Sequence, residues 1–233
     1  MDLEDLSQST IVFDLDGTLV DTAPDLAAAT NHVLLLLGLE AVTVAELHPF
    51  IGHGSKAMIA AGVRLRGTHV GEDELTSLHE RFLEFYAANV AVGSRPYEGV
   101  AELLDTLLAA GALLAVCTNK IERLSRLLLR QLALDSKFGA IAGGDTFSVC
   151  KPAAGHLTGV IAMAGGRAER AVMVGDSEVD FATAQAANIP AIGVTFGYAT
   201  RPLRELAPAA GPGAIIDHYR QFLPALTGVL PRP

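Results

Sequence analysis

The sequence predicts an α/β fold: a parallel-sheet core whose chain is interrupted, after its first strand, by an inserted all-helical segment. Three observations carry this expectation. From about Pro96 onward, short apolar runs alternate with helical patterns, the texture of βαβ units around a parallel sheet. One run of the same kind, Thr10 to Phe13, stands alone near the start. Between the two, residues 22–92 hold helical patterns and no strand candidate. The expected division is therefore a core of residues 1–21 and 93–233 with an insertion of residues 22–92. The hinges fall near Val20 to Ala23 and Ala91 to Pro96.

Each element has a local reason. Thr10 to Phe13 carries β-branched Ile11 and Val12 and breaks into Asp14-Leu15-Asp16-Gly17-Thr18, a buried strand running into a turn. Pro24 opens a helix with Leu26, Val33, Leu34 and Leu37 at helical spacing, and Gly38 closes it. Thr43-Val44-Ala45-Glu46 is a capping box at the head of a short helix. Gly52-His53-Gly54 interrupts the pattern before a helix of about Ser55 to Arg66, and another spans roughly Glu72 to Val90. The later strands are expected at Ala112 to Cys117, Ala140 to Gly143, Ala171 to Val174, Ala191 to Val194 and Ala214 to Ile216.

Composition narrows the function. Half of the 233 residues are hydrophobic and 18% are charged, enough to bury a full core and too apolar for disorder. The net charge of -9 argues against nucleic acid or an anionic membrane as partner, since like charges would have to be overcome. Two cysteines, Cys117 and Cys150, are too few for a disulfide framework. Residues 1–10 carry Asp2, Glu4 and Asp5 and no basic residue, unlike a signal peptide. The longest stretch without a charged residue, Phe181 to Thr200, contains Gln185, Asn188 and Pro190 and is no membrane span. The expectation is a soluble, cytoplasmic protein. Oligomeric state stays open, with a homodimer the one assembly entertained.

Three apolar runs end in a reactive polar group: Asp14, Thr118-Asn119 and Asp176. Open parallel sheets bind ligands just beyond the carboxyl ends of their strands. Side by side, these ends would bring Asp14, Asp16, Thr118, Asn119 and Asp176 into one site. Asp180 lies one helical turn after Asp176 and can face the same cleft. Four crowded carboxylates repel unless something compensates. An all-oxygen donor set points to a hard divalent ion, Mg²⁺ (magnesium), rather than zinc. Lys151, after a short strand, reads as the one cation able to share the cleft. A carboxylate, a divalent ion, a lysine and a hydroxyl suit phosphoryl transfer, with a carboxylate as nucleophile.

Asp14-Leu15-Asp16-Gly17-Thr18-Leu19 resembles the first motif of the haloacid dehalogenase-like hydrolase superfamily. Thr118 resembles its second, Lys151-Pro152 its third, and Gly175-Asp176-Ser177-Glu178-Val179-Asp180 its fourth, in family order across nearly the whole chain. The resemblance implies a Rossmann-like core closed by a helical cap, and it implies roles. Asp14 would attack phosphorus and form an aspartyl-phosphate; Asp16 would protonate the leaving oxygen and then activate water. The Asp14 carboxylate, the Asp16 carbonyl and Asp176 would hold Mg²⁺, and Asp180 would orient the metal's waters and Lys151. Thr118, Asn119 and Lys151 would hold the phosphoryl group. Leu19 to Leu26, Arg95-Pro96-Tyr97 and Val194 to Tyr198 are similar to the phosphoglycolate phosphatase branch. The substrate implied is thus a small phosphorylated metabolite, 2-phosphoglycolate before pyrophosphate or a sugar phosphate. Ala154 departs from the branch, which often has proline there.

Plainer readings stand beside these. Asp-Gly is a common turn pair, and Asp176 is expected also to cap the following helix. His53 is read either as a residue of a helix–helix turn or as part of a substrate-facing cap loop. His156 falls on a helix surface, and both cysteines are expected to be buried and unreactive. Among other chemistries of the superfamily, a dehalogenase would not need Asp16, and a phosphonate hydrolase would lack an acid there. A sugar-phosphate mutase typically carries valine in place of Thr18. A receiver-like phospho-acceptor module would be about half as long, with no insertion.

Overall fold

The computed structural model describes residues 6–206 and 213–230; the acidic start of the N-terminus, residues 1–5, lies outside them. In chain order the elements are β1 (Thr10–Phe13), β2 (Val20–Asp21), α1 (Ala23–Leu36), α2 (Val44–Leu47), α3 (Ser55–Leu65), α4 (Glu72–Ala88), β3 (Arg95–Pro96), α5 (Val100–Ala109), β4 (Leu113–Cys117), α6 (Glu122–Gln131), β5 (Ala140–Ala142), α7 (Ala154–Met163), β6 (Ala171–Gly175), α8 (Glu178–Ala186), β7 (Ala191–Val194), α9 (Leu203–Leu206), β8 (Gly213–Ile216) and α10 (Phe222–Val229). The chain divides into two compact units, one of residues 1–20 and 96–233, the other of residues 21–95.

The first unit is built on a six-stranded sheet in the order β5-β4-β1-β6-β7-β8, with every recorded pairing parallel. All four residues of β1 are buried, as a central strand covered on both faces requires. One face packs against α7 and α8: Val12, Ala115, Cys117 and Met173 meet Leu157, Val160, Ile161, Phe181 and Ala184. Successive side chains alternate faces, so Phe13 points the other way and stacks on Phe222 of α10 at 5.9 Å.

The ladder runs one residue past two strands. The Asp14 N–H donates to the Val174 carbonyl (2.8 Å) and the Thr118 N–H to the Ala142 carbonyl (3.1 Å). Both residues are thereby fixed at the carboxyl edge of the sheet before their side chains make any contact.

The second unit is helical. Leu26, Val33 and Leu34 of α1, Met58 and Ile59 of α3, and Phe82 and Tyr86 of α4 form its core. Thr43 and Glu46 form the expected capping box. Buried Asp25 accepts from the Gly93 N–H (2.7 Å), the Ser94 N–H (2.8 Å) and the Ser94 hydroxyl (2.6 Å). That tie holds the end of the unit to its first helix. Two elements escaped the pattern reading: β2 and β3 pair in a two-stranded sheet, and two residues each are too few to show a period.

Two further expectations are corrected. His156 is buried, because α7 turns that side chain inward, where its ring packs edge-on against Phe147 at 5.9 Å. Cys150 is exposed, since it lies in the loop before α7 rather than in a strand; only Cys117 is buried. Burial pushes the Cys117 thiol up to about 12, which leaves it un-ionised and inert. No helix among the described residues is long and apolar enough to cross a membrane.

Candidate active site

Strands β4, β1 and β6 are adjacent, so the residues that follow them, Thr118, Asp14 and Asp176, share one edge of the sheet. Asp14, Asp176 and Asp180 each present a carboxylate oxygen within 4.8 Å of the other two. The Lys151 Nζ lies 2.9 Å from the Asp14 Oδ1 and 2.6 Å from the Asp180 Oδ1. All four residues are buried.

Each carboxylate is aimed by its own donors. The Asp14 Oδ1 also accepts from the Leu15 N–H at 2.7 Å. The Asp176 Oδ1 accepts from the Thr18 hydroxyl (3.0 Å) and its Oδ2 from the Tyr198 N–H (2.6 Å). The Tyr219 hydroxyl in turn donates to the Thr18 carbonyl at 2.7 Å, which steadies the loop after β1. Gly17 is required in that loop. Its φ is +80°, and a Cβ there would lie 2.4 Å from the Asp176 Oδ2, inside van der Waals contact.

Asp180 enters the cluster by a route the sequence reading did not give. Ser177, not Asp176, is the N-cap of α8, and the Asp180 Oδ2 accepts from its N–H (3.1 Å) and its hydroxyl (2.6 Å). The capping box holds one Asp180 oxygen and leaves the other to Lys151. Asp176 is thus free of the capping duty expected of it.

Asn119 is also placed differently from expectation. Its side-chain amide donates to the Lys151 carbonyl (3.0 Å) and accepts from the Lys151 N–H (2.9 Å). Both ends of the amide are used to pin the backbone of Lys151, so this side chain positions the lysine. The Thr118 hydroxyl accepts from the Lys120 N–H at 3.2 Å and keeps its own proton to donate.

Lys151 is not the sole cation here. The Lys120 Nζ lies 2.8 and 3.1 Å from the two oxygens of Asp16. The side chains of the pair are 8% and 20% exposed. The available signal was position: Lys120 stands two residues after Thr118, in the loop leaving an inner strand. His53 lies at the end of a short 3₁₀ turn of residues 48–53 in the helical unit and is exposed.

The electrostatics describe an unbalanced cluster. Burial raises the Asp14 pKa to about 7 against the pull of Lys151, with Asp180 adding to the rise. Burial, then Asp180 and Asp14, push Asp176 well above the usual carboxylate range. Burial disfavours the Lys151 ammonium, but the Asp14 and Asp180 carboxylates outweigh it and its pKa is raised. Three carboxylates against one ammonium leave two formal negative charges in a place with little water. An all-oxygen set with that deficit fits a hard divalent cation.

Comparison with known proteins bears on the chemistry. Residues 11–194 match the haloacid dehalogenase-like hydrolase family. The phosphoglycolate phosphatase of Agrobacterium fabrum is 46% identical over 215 residues, covering 92% of this chain and 91% of its own. That of Mesorhizobium japonicum is 48% identical over 217 residues, covering 92% of each. The crystal structure of a predicted phosphoglycolate phosphatase from Haemophilus somnus superimposes with a TM-score of 0.83 at 29% identity, covering 93% of this chain and 96% of that one. Strand-end aspartates, a buried lysine and a helical insertion after the first strand thus occur in a chain that belongs to the haloacid dehalogenase-like hydrolase family.

Proposed function

We propose that this hydrolase is a Mg²⁺-dependent phosphatase of a small phosphomonoester, 2-phosphoglycolate, working through an acyl-phosphate on Asp14. The observation that carries the reading is the Asp14 carboxylate itself. It is fixed at the sheet edge, raised in pKa by burial, and bridged through Lys151 to Asp180. The names and identities of the relatives support the choice of substrate.

An Asp14 oxygen attacks phosphorus as the bond from phosphorus to the ester oxygen breaks. Asp16 gives its proton to that oxygen. Asp16 then takes a proton from the water that attacks the same phosphorus, the bond to Asp14 breaks, and inorganic phosphate leaves. Lys151 and the Thr118 hydroxyl donate to the phosphoryl oxygens, with Asn119 holding Lys151 in place. A divalent metal would be held by the Asp14 carboxylate, the Asp16 carbonyl and Asp176, with Asp180 orienting its waters, and would supply neutralisation of phosphoryl charge. The helical unit, which carries His53 and Lys56, takes the cap role that the family resemblance implies. We place the activity in the cytoplasm, where two free thiols are stable.

Three outcomes test this reading. Wild-type protein should prefer 2-phosphoglycolate to ethyl phosphate in kcat/KM, and equal values would remove the substrate assignment. Asp16→Asn should cost 2-phosphoglycolate turnover ~10²–10⁴-fold and p-nitrophenyl phosphate less, because p-nitrophenolate departs without a proton. Equal losses on the two esters would count against Asp16 as the acid.

The third outcome is a pH dependence of Mg²⁺ affinity. The raised acids, Asp14 and Asp176, hold protons above the ordinary carboxylate range, and a cation must displace them. Raising the pH removes those protons, so Mg²⁺ affinity should climb between about pH 5 and pH 8, the window that spans the Asp14 value of about 7. Calorimetric titration of metal-free protein at fixed ionic strength reads it, and a flat or falling profile would contradict the cluster's electrostatics.

A further inference from the structure

We propose that Lys120 reads the carboxylate of the leaving group, so that substrate choice is set in part by the α/β core. The inference rests on the phosphoglycolate reading above and concerns a residue that reading leaves without a task.

The argument is one of reach. Asp16 hands its proton to the ester oxygen, so in the reacting complex that oxygen lies a hydrogen bond away from the Asp16 carboxyl. In 2-phosphoglycolate a single methylene separates the ester oxygen from the carboxylate carbon. The carboxylate oxygens therefore arrive about one hydrogen-bond length from the ester oxygen. The Lys120 Nζ, at 2.8 and 3.1 Å from the two Asp16 oxygens, stands where such a carboxylate would be delivered. Lys151 cannot serve instead, because two of its donors face Asp14 and Asp180 and the third is given to the phosphoryl group.

The lysine is also set in place beforehand. Its N–H donates to the Thr118 hydroxyl (3.2 Å), and its carbonyl accepts from the Gly144 N–H (3.0 Å). Its side chain is only 8% exposed, so its charge is less screened than that of a surface lysine. With three N–H donors, the ammonium can keep Asp16 and accept a second carboxylate. Ethyl phosphate, with a methyl group in place of the carboxylate, offers it nothing.

The test compares kcat and KM for 2-phosphoglycolate and ethyl phosphate in wild-type protein, Lys120→Met, Lys120→Arg and the double variant His53→Ala/Lys56→Ala. Loss of one charge-assisted hydrogen bond predicts that Lys120→Met lowers the preference for 2-phosphoglycolate by roughly 10- to 150-fold, mainly through KM. Lys120→Arg, which keeps the charge, should retain most of the preference. Glycolate, which carries the carboxylate and no phosphoryl group, should inhibit Lys120→Met more weakly than wild type.

An equal fall on both esters in Lys120→Met would mean that Lys120 acts only through Asp16, and would overturn the proposal. So would an intact preference in Lys120→Met together with a lost one in the double variant, which would put carboxylate recognition on the helical unit. In both cases the wild-type preference still stands, and with it the substrate reading. If wild-type protein shows no preference, the substrate reading itself falls and the role of Lys120 with it.

Discussion

Asp14→Asn is expected to abolish turnover of both 2-phosphoglycolate and p-nitrophenyl phosphate, by on the order of 10⁴-fold or more. An amide oxygen does not attack phosphorus, and no other carboxylate can take its place. Asp176 is held at both oxygens by Thr18 and Tyr198, and Asp180 by Ser177 and Lys151. The loss should be the same for good and poor leaving groups, which separates it from the loss in Asp16→Asn. The variant should fold. The change is isosteric, and Lys151 keeps its 2.6 Å contact with Asp180. In metal-free protein at pH 8 its thermal midpoint should match or exceed that of wild type, because Asp14, with a pKa raised to about 7, is then ionised in a setting that disfavours the charge. Substantial turnover by the purified variant would remove Asp14 as nucleophile.

Lys151→Met should carry the largest stability loss. The ammonium is buried between two carboxylates, and its removal leaves Asp14, Asp176 and Asp180 together without that cation. Breaking a buried pair from one side costs about 3–5 kcal/mol, which in a chain of this size is roughly 6–20 °C of thermal midpoint. The deficit should be greatest at pH 8 in EDTA. It should shrink toward pH 5, where Asp14 is protonated and the repulsion is gone, and Mg²⁺ should restore part of it at pH 8. A wild-type midpoint for Lys151→Met in EDTA at pH 8 would mean that the carboxylates are not coupled as their distances imply.

What could be read from the sequence follows from what each element needs. β1 and β7 begin and end where their apolar runs do, because strands covered on both faces must be apolar throughout. β8 starts one residue earlier than expected, at Gly213, since a glycine gives no apolar signal. The strand-end aspartates were legible because the sheet edge is set by backbone register alone. What the surrounding side chains do was not. The Asn119 clamp on Lys151 and the Lys120–Asp16 pair join residues that are 32 and 104 positions apart, whereas the Ser177–Asp180 box spans 3 and is the kind of local pattern read at Thr43–Glu46. No local period encodes a loop side chain's direction, which is fixed by whichever partner the folded chain brings within reach.

The position of β1 in the sheet bears on how the molecule is made. Its register pairs Thr10 with Leu113 on one side and with Ala171 on the other, so both neighbours lie far downstream. During synthesis the four residues of β1 wait until β4, with Leu113, has been made before a neighbouring strand can bond to them, and until β6, with Ala171, for the second. The helical unit, whose partners are close in sequence, is complete by Arg95 and can form in the meantime, since local contacts close quickly and distant strand pairings slowly. The aspartates are gathered only once Asp180 has been synthesised. The buried charge cluster is therefore among the last features to assemble, and a nascent chain stalled before that residue would hold an open strand edge and an incomplete carboxylate cluster.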